Sequence, residues 1–179
     1  MWFAMMSVMM VPTVWPWLAA FHRMSTVGSG FSRTVVFGGG YATAWLIYSI
    51  AAASIQWLLP HHVPTSIAAA ILFTAGAFQF VPFKRACLMH CRNPLTYFLA
   101  RWRDGASGGF RMGFHHGLFC VACCWALMAT TIAVGVMNLW WMIALAAATF
   151  AEQVTKSGNR ARVVIGVALI IGALVEAGL

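Results

Sequence analysis

Residues 112–137 read MGFHHGLFCVACCWALMATTIAVGVM, a run without Asp, Glu, Lys or Arg. One bilayer crossing takes roughly 20 helical residues, and this run supplies them. A soluble domain carries roughly 25% charged residues and has no place for such a stretch. The rest of the chain agrees: 62% of its 179 residues are hydrophobic and 8% are charged, with mean hydropathy +0.83. Inside lipid a segment must satisfy its own backbone polar groups, so runs like this one become helices. The fold class read from the sequence is all-α, a polytopic transmembrane bundle of about six helices forming one membrane domain over residues 1–179.

Outward from that run, further apolar spans fall at about 1–21, 35–59, 65–82, 138–153 and 163–179. Pro12 and Pro16 predict a kink in the first. Gly38-Gly39-Gly40 permits close helix approach or a bend in the second. Pro60-His61-His62-Val63-Pro64 reads as a tight turn, with the histidine pair a weak candidate for Cu(II) or Zn(II). Residues 83–111 interleave Lys84, Arg85, Arg92, Arg101, Arg103 and Arg111 with Leu88, Leu95, Phe98, Leu99 and Trp102, the pattern of a helix lying in the membrane interface.

Charge then orients the helices. Arg23 and Arg33 lie between spans one and two, the six cations just named between three and four, and Lys156, Arg160 and Arg162 between five and six. These are all 11 basic residues, against 3 acidic ones, and the two remaining loops carry none. The positive-inside rule places the three basic connections in the cytoplasm and both termini outside. A net charge of +8 on such a chain implies anionic lipid headgroups as partners and not nucleic acid. The first residues lack the basic region of a cleavable leader.

The five cysteines fall into two groups, Cys87 and Cys91, and Cys120, Cys123 and Cys124. With His116 at zero and about 100° per residue, Cys120 falls near 40°, Cys123 near −20° and Cys124 near 80°. Met112, near −40°, extends the same stripe. Gly109, Gly113 and Gly117 form a small-residue ladder on or beside that face, which lets another helix approach and turns the thiols into the bundle. Thiolates with an imidazole on a buried face suit a soft metal, with copper favoured and zinc or an iron–sulfur centre as alternatives. The candidate ligands are Cys120, Cys123, Cys124 and His116, helped by Cys87 and Cys91. Simple packing is the competing reading, because free Cys is often buried. A Cys120/Cys123 redox pair is a third, opposed by a reducing compartment.

Met5, Met6, Met9 and Met10 form i,i+4 pairs near the outer end of the first span, and Met137 and Met142 flank the outer loop before the fifth. Thioethers bind Cu(I), so these are candidates for an outer metal relay; flexible packing is the alternative. Gln56, Gln79 and Asn138 read as interhelical hydrogen-bonding groups. Glu152 precedes Lys156 by one turn and could instead meet Lys84 or Arg85 across the bundle. No nucleotide-binding loop, zinc-protease motif or catalytic triad is visible, and no catalytic residue is expected.

The segments QFVPFKRACLMHCRNP (79–94) and GFHHGLFCVACCWALM (113–128), continued by GVMNLWWM (135–142), Glu152 and the opening from Trp2 to Pro12, resemble a bacterial family of predicted metal-binding integral membrane proteins, a domain of unknown function. Ala122 stands where the resemblance leads one to expect glycine, and Gln153 where it leads one to expect lysine. The resemblance spans nearly the whole chain and implies a bacterial inner-membrane protein with a metal site, without supplying a reaction. The leading expectation is a protein that holds, moves or delivers copper, for example to a membrane metalloenzyme. An accessory subunit of a larger membrane complex and a membrane thiol oxidoreductase are the alternatives.

Overall fold

The computed structural model describes residues 1–25, 30–58, 63–135, 138–155 and 157–178. Eight helices follow in chain order: α1 (Trp2–Met24), α2 (Gly30–Leu58), α3 (Thr65–Phe78), α4 (Pro82–Arg92), α5 (Pro94–Arg101), α6 (Gly105–Val134), α7 (Leu139–Val154) and α8 (Gly158–Glu176). No strand occurs among the described residues, and the all-α class stands. His61, His62, Met137 and Lys156, singled out above, lie outside the described residues.

Punctuation follows backbone chemistry. Proline lacks an N–H and cannot continue a helix ladder, but it suits the first helical position. Pro82 and Pro94 open α4 and α5 in that way. Gly135, at φ 109°, closes α6 with its N–H on the Thr131 carbonyl. The Asn138 side chain accepts from the Trp141 N–H at 3.1 Å and caps α7, so its hydrogen bond lies within its own helix. Gln56 does bond between helices, accepting from Trp2 Nε1.

α6 is the hub. It packs along α2 most extensively and also meets α3, α4 and α7. An added Cβ on Gly113 would strike the Phe37 carbonyl, and one on Gly40 the Phe110 carbonyl. One on Gly117 would stand 2.7 Å from the Ala44 Cβ, whereas one on Gly109 would find only ordinary contacts, the nearest at 3.6 Å. Glycine is thus what brings the α2 and α6 backbones together. The pairs Phe37–Gly113 and Tyr48–Trp125 make α2 and α6 parallel. Leu18–Gly38 with Trp2–Gln56 makes α1 antiparallel to α2, and Trp141–Thr130 with Gln153–Cys124 does the same for α7 and α6. Among the described residues, the cations gather at the end where α1 stops and α2, α6 and α8 begin.

The span count differs from the expected six. Four helices are long and apolar enough to cross a membrane: α1, α2, α6 and α8. α3 qualifies only together with α4, across a 65° bend, and the 16-residue α7 falls short. At ~1.5 Å per residue α7 reaches about 24 Å, less than a ~30 Å hydrocarbon core. Exposed side chains such as Trp57, Leu58, Trp140, Val164 and Ile171 give the bundle an apolar exterior, compatible with a multi-pass membrane protein.

Two readings of the 83–111 segment also change. Gly105 to Arg111, read above as interfacial, are the opening turns of α6, where small residues admit the Phe21 ring and the Arg33 carbonyl beside Gly109. Lys84, read as an interfacial charge, is fully buried: its Nζ lies 2.7 Å from Glu152 Oε2 and donates to Gln79 Oε1. A buried ammonium needs such partners.

Candidate metal centre

The α6 cysteines take one buried face because their spacing puts them there, and neighbouring helices close over it. Cys120, Cys123 and Cys124 are essentially inaccessible, and so is Cys91 of α4. Cys123 Sγ lies 3.3 Å from Cys124 Sγ and donates to the Cys120 carbonyl at 3.2 Å. The Cys91 thiol of α4 neighbours those of Cys120 and Cys123, near enough to act on them electrostatically. The fold therefore brings four sulfurs from two helices together. Cys87, one turn earlier on α4, is also buried. All five thiols are free.

Two further helices supply polar contacts to the sulfurs. Gln153 of α7 directs its amide at all three α6 thiols, with Nε2 2.8 Å from Cys124 Sγ, 3.6 Å from Cys123 Sγ and 3.7 Å from Cys120 Sγ. Tyr41 of α2 places its hydroxyl 3.3 Å from Cys120 Sγ. An N–H or O–H aimed at sulfur favours the thiolate, the form that binds metal. The sequence reading missed both residues. A signal for Gln153 existed: Leu145, Thr149, Glu152 and Gln153 are the buried residues of α7, spaced as one helical stripe.

His116 lies one turn from Cys120. Its ring is stacked on Trp17 at 3.6 Å between centroids, with Tyr41 5.5 Å away, and its Nδ1 has no hydrogen-bond partner. Trp17 in turn donates through Nε1 to the Cys91 carbonyl at 2.7 Å. The indole thus ties α1 to α4 and to the imidazole beside the thiols.

The methionines stand above this centre. Phe21 beside Gly109 and Trp17 on His116 make α1 antiparallel to α6. Stepping back along α1 at ~1.5 Å per residue brings Met10 level with Cys123 and Met6 level with Leu127. Met6, Met9 and Met10 are buried and Met5 is partly buried, all in the same core as the thiols.

The donor set fits a soft ion, but the sulfurs rest on one another. Among the described residues, no group of three His, Cys, Asp or Glu side chains is arranged to hold a metal as it stands. Metal–sulfur bonds of ~2.3 Å at tetrahedral angles put sulfurs about 3.8 Å apart. The Cys123 and Cys124 sulfurs, at 3.3 Å, would part by about half an ångström on loading.

A family model described as PpoB2, copper chaperone, matches residues 1–175. No curated protein and no solved structure matches the chain.

Proposed function

The chain belongs to the PpoB2 copper chaperone family, and from that premise we propose that it is a membrane-embedded Cu(I) carrier whose cargo is held by Cys91, Cys120, Cys123 and Cys124. The observation that carries this reading is the convergence of four buried, free thiols from α4 and α6. Soft thiolate ligands select Cu(I) over harder ions. His116 is the fifth donor, one turn away, with an unpartnered ring nitrogen. Gln153 and Tyr41 orient and stabilise the thiolates.

In this reading copper is cargo, and it moves by exchange of ligands with no change of oxidation state. With both termini outside, Met6, Met9 and Met10 receive the ion from the outer side and pass it to the stronger thiolate donors below. Release goes to a copper-using protein. Thiol–disulfide exchange is less well supported, since an attacking thiolate needs access to its partner's sulfur and all five thiols are buried.

The test is anaerobic purification in detergent, Cu(I) loading and elemental analysis, beside a Cys120→Ser/Cys123→Ser variant. The expected result is about one copper per chain, lost in a variant that keeps its helix content. Equal copper in the two proteins, or none in either, sinks the proposal.

A further inference from the structure

At the basic end of the bundle a cavity of about 530 Å³ opens between α5, α6 and the link that joins them. Arg101 comes from α5, Arg103 from the link and Arg111 from α6, and all three are exposed at its edge. Tyr97 and Met112 are buried beneath them, and His115 completes the wall. The Tyr97 hydroxyl lies 3.3 Å from His115 Nδ1, which fixes this floor. Burial pushes the Tyr97 hydroxyl above its ordinary range, while Arg101 and Arg103 draw it back. A second cavity of about 350 Å³ shares Tyr97, Ala100, Arg101 and His115 and extends the space toward His90 and Phe119.

The charge here is unbalanced. The chain has 3 acidic residues. Glu152 is held by Lys84 in the interior, Glu176 ends α8 at the opposite end, and Asp104 accepts from Trp102 Nε1 at 2.9 Å. Among the described residues the Lys84–Glu152 contact is the one salt bridge, so none of the three arginines has a carboxylate on it. Guanidinium groups arranged round a pocket favour a multidentate oxyanion. Leu95 and Leu99 of α5 project outward beside the pocket, at 60% and 78% exposure, where they would meet acyl chains. Phosphate and hydrocarbon are thus accommodated side by side.

We propose that this cavity is a discrete binding site for a phosphate group, of the kind an anionic lipid headgroup presents at the membrane surface. It differs from general attraction of a basic surface to lipid because three segments build it round a buried floor. It stands independently of the copper reading.

Native mass spectrometry of the detergent-purified chain tests it, with phosphatidylglycerol, phosphatidylcholine and inorganic phosphate as probes. Wild type should retain about one phosphatidylglycerol and little phosphatidylcholine. An Arg101→Gln/Arg111→Gln variant should retain it about tenfold more weakly, the scale of one or two charge-assisted contacts. Arg85→Gln, an exposed cation away from the cavity, should match wild type. If phosphatidylglycerol is not retained but inorganic phosphate raises the melting temperature of wild type and not of the double variant, the same site takes free phosphate. Equal retention by wild type and double variant, equal loss in Arg85→Gln, or no effect of any probe overturns the proposal. Unchanged helix content in the double variant checks its fold, and Arg103→Gln is the second variant if that check fails.

Discussion

Glu152 and Gln153 are neighbours on α7, and they face two interiors of opposite chemistry. Glu152 meets the Lys84 ammonium at 2.7 Å, with the Arg162 guanidinium nearby donating to the Gln79 carbonyl at 2.7 Å. Gln153 meets only sulfur and offers it a neutral amide. The first cluster is hard and charged, and its Lys84 and Glu152 charges are already paired. The second is soft and uncharged while its thiols are protonated, and in the proposed function an ion would complete it. Removing one member from a closed set strands its partner, whereas removing one from an open set alters what the set can receive. α4 repeats the contrast, with Lys84 in the ionic cluster and Cys91 among the thiols.

The largest effect expected from breaking this contrast is on the ionic side. Lys84→Met would leave the Glu152 carboxylate buried without its cation, at a cost of about 3–5 kcal/mol. Chemical denaturation in detergent measures it. A Lys84→Met/Glu152→Leu variant should regain most of the loss, because an apolar pair of similar volume often replaces a buried ion pair without penalty. A single variant as stable as wild type would show that this pair does not hold α4 to α7.

On the thiol side the expected change is in cargo affinity and not in stability. Gln153→Leu keeps the side chain's bulk and removes its N–H donors from the sulfurs. Loss of such an outer contact typically weakens metal binding 10–100-fold, about 1.4–2.7 kcal/mol. Competition against a Cu(I) chelator of known affinity reads this directly. Unchanged affinity would mean that the amide only fills space, and the two faces of α7 would then differ less than their geometry implies.

Much of this contrast was legible before the fold. The thiol face of α6 follows from spacing within one helix, and the gathering of cations at one end follows from their order along the chain. What crosses between helices was not. The α7 stripe of Leu145, Thr149, Glu152 and Gln153 marks a buried face without saying what covers it, so the amide over the thiols stayed hidden. Lys84 lies in a basic, amphipathic stretch that suggests an interfacial charge. Only packing brings Glu152 to it, although the carboxylate was a foreseeable partner. The start of α6 was misplaced because Arg101, Arg103 and Arg111 carry the basic, interfacial pattern of 83–111 across residues 105–109. In the fold that stretch opens α6, with Gly109 in ordinary contact with the Phe21 ring and the Arg33 carbonyl.

The soft interior continues up α1, and there the smallest effect is expected. Met6, Met9 and Met10 are packed as tightly as the thiols, so their burial alone does not distinguish a relay from filler. Substituting all three by leucine does, because the two residues are close in volume and differ in the sulfur atom. Swaps of this kind usually cost less than ~1.5 kcal/mol each, and the fold should survive. The copper held at saturation should also stay the same, since the thiols are intact. What should change is the rate: Cu(I) offered in reconstituted vesicles from the side of the α1 N-terminus should load several-fold more slowly. Offered from the basic side, it should load at the wild-type rate. Equal slowing from both sides would place the methionines in the packing of the centre itself, and no slowing from either would make them filler. Only the one-sided result extends the soft half of the comparison from a binding site to a path.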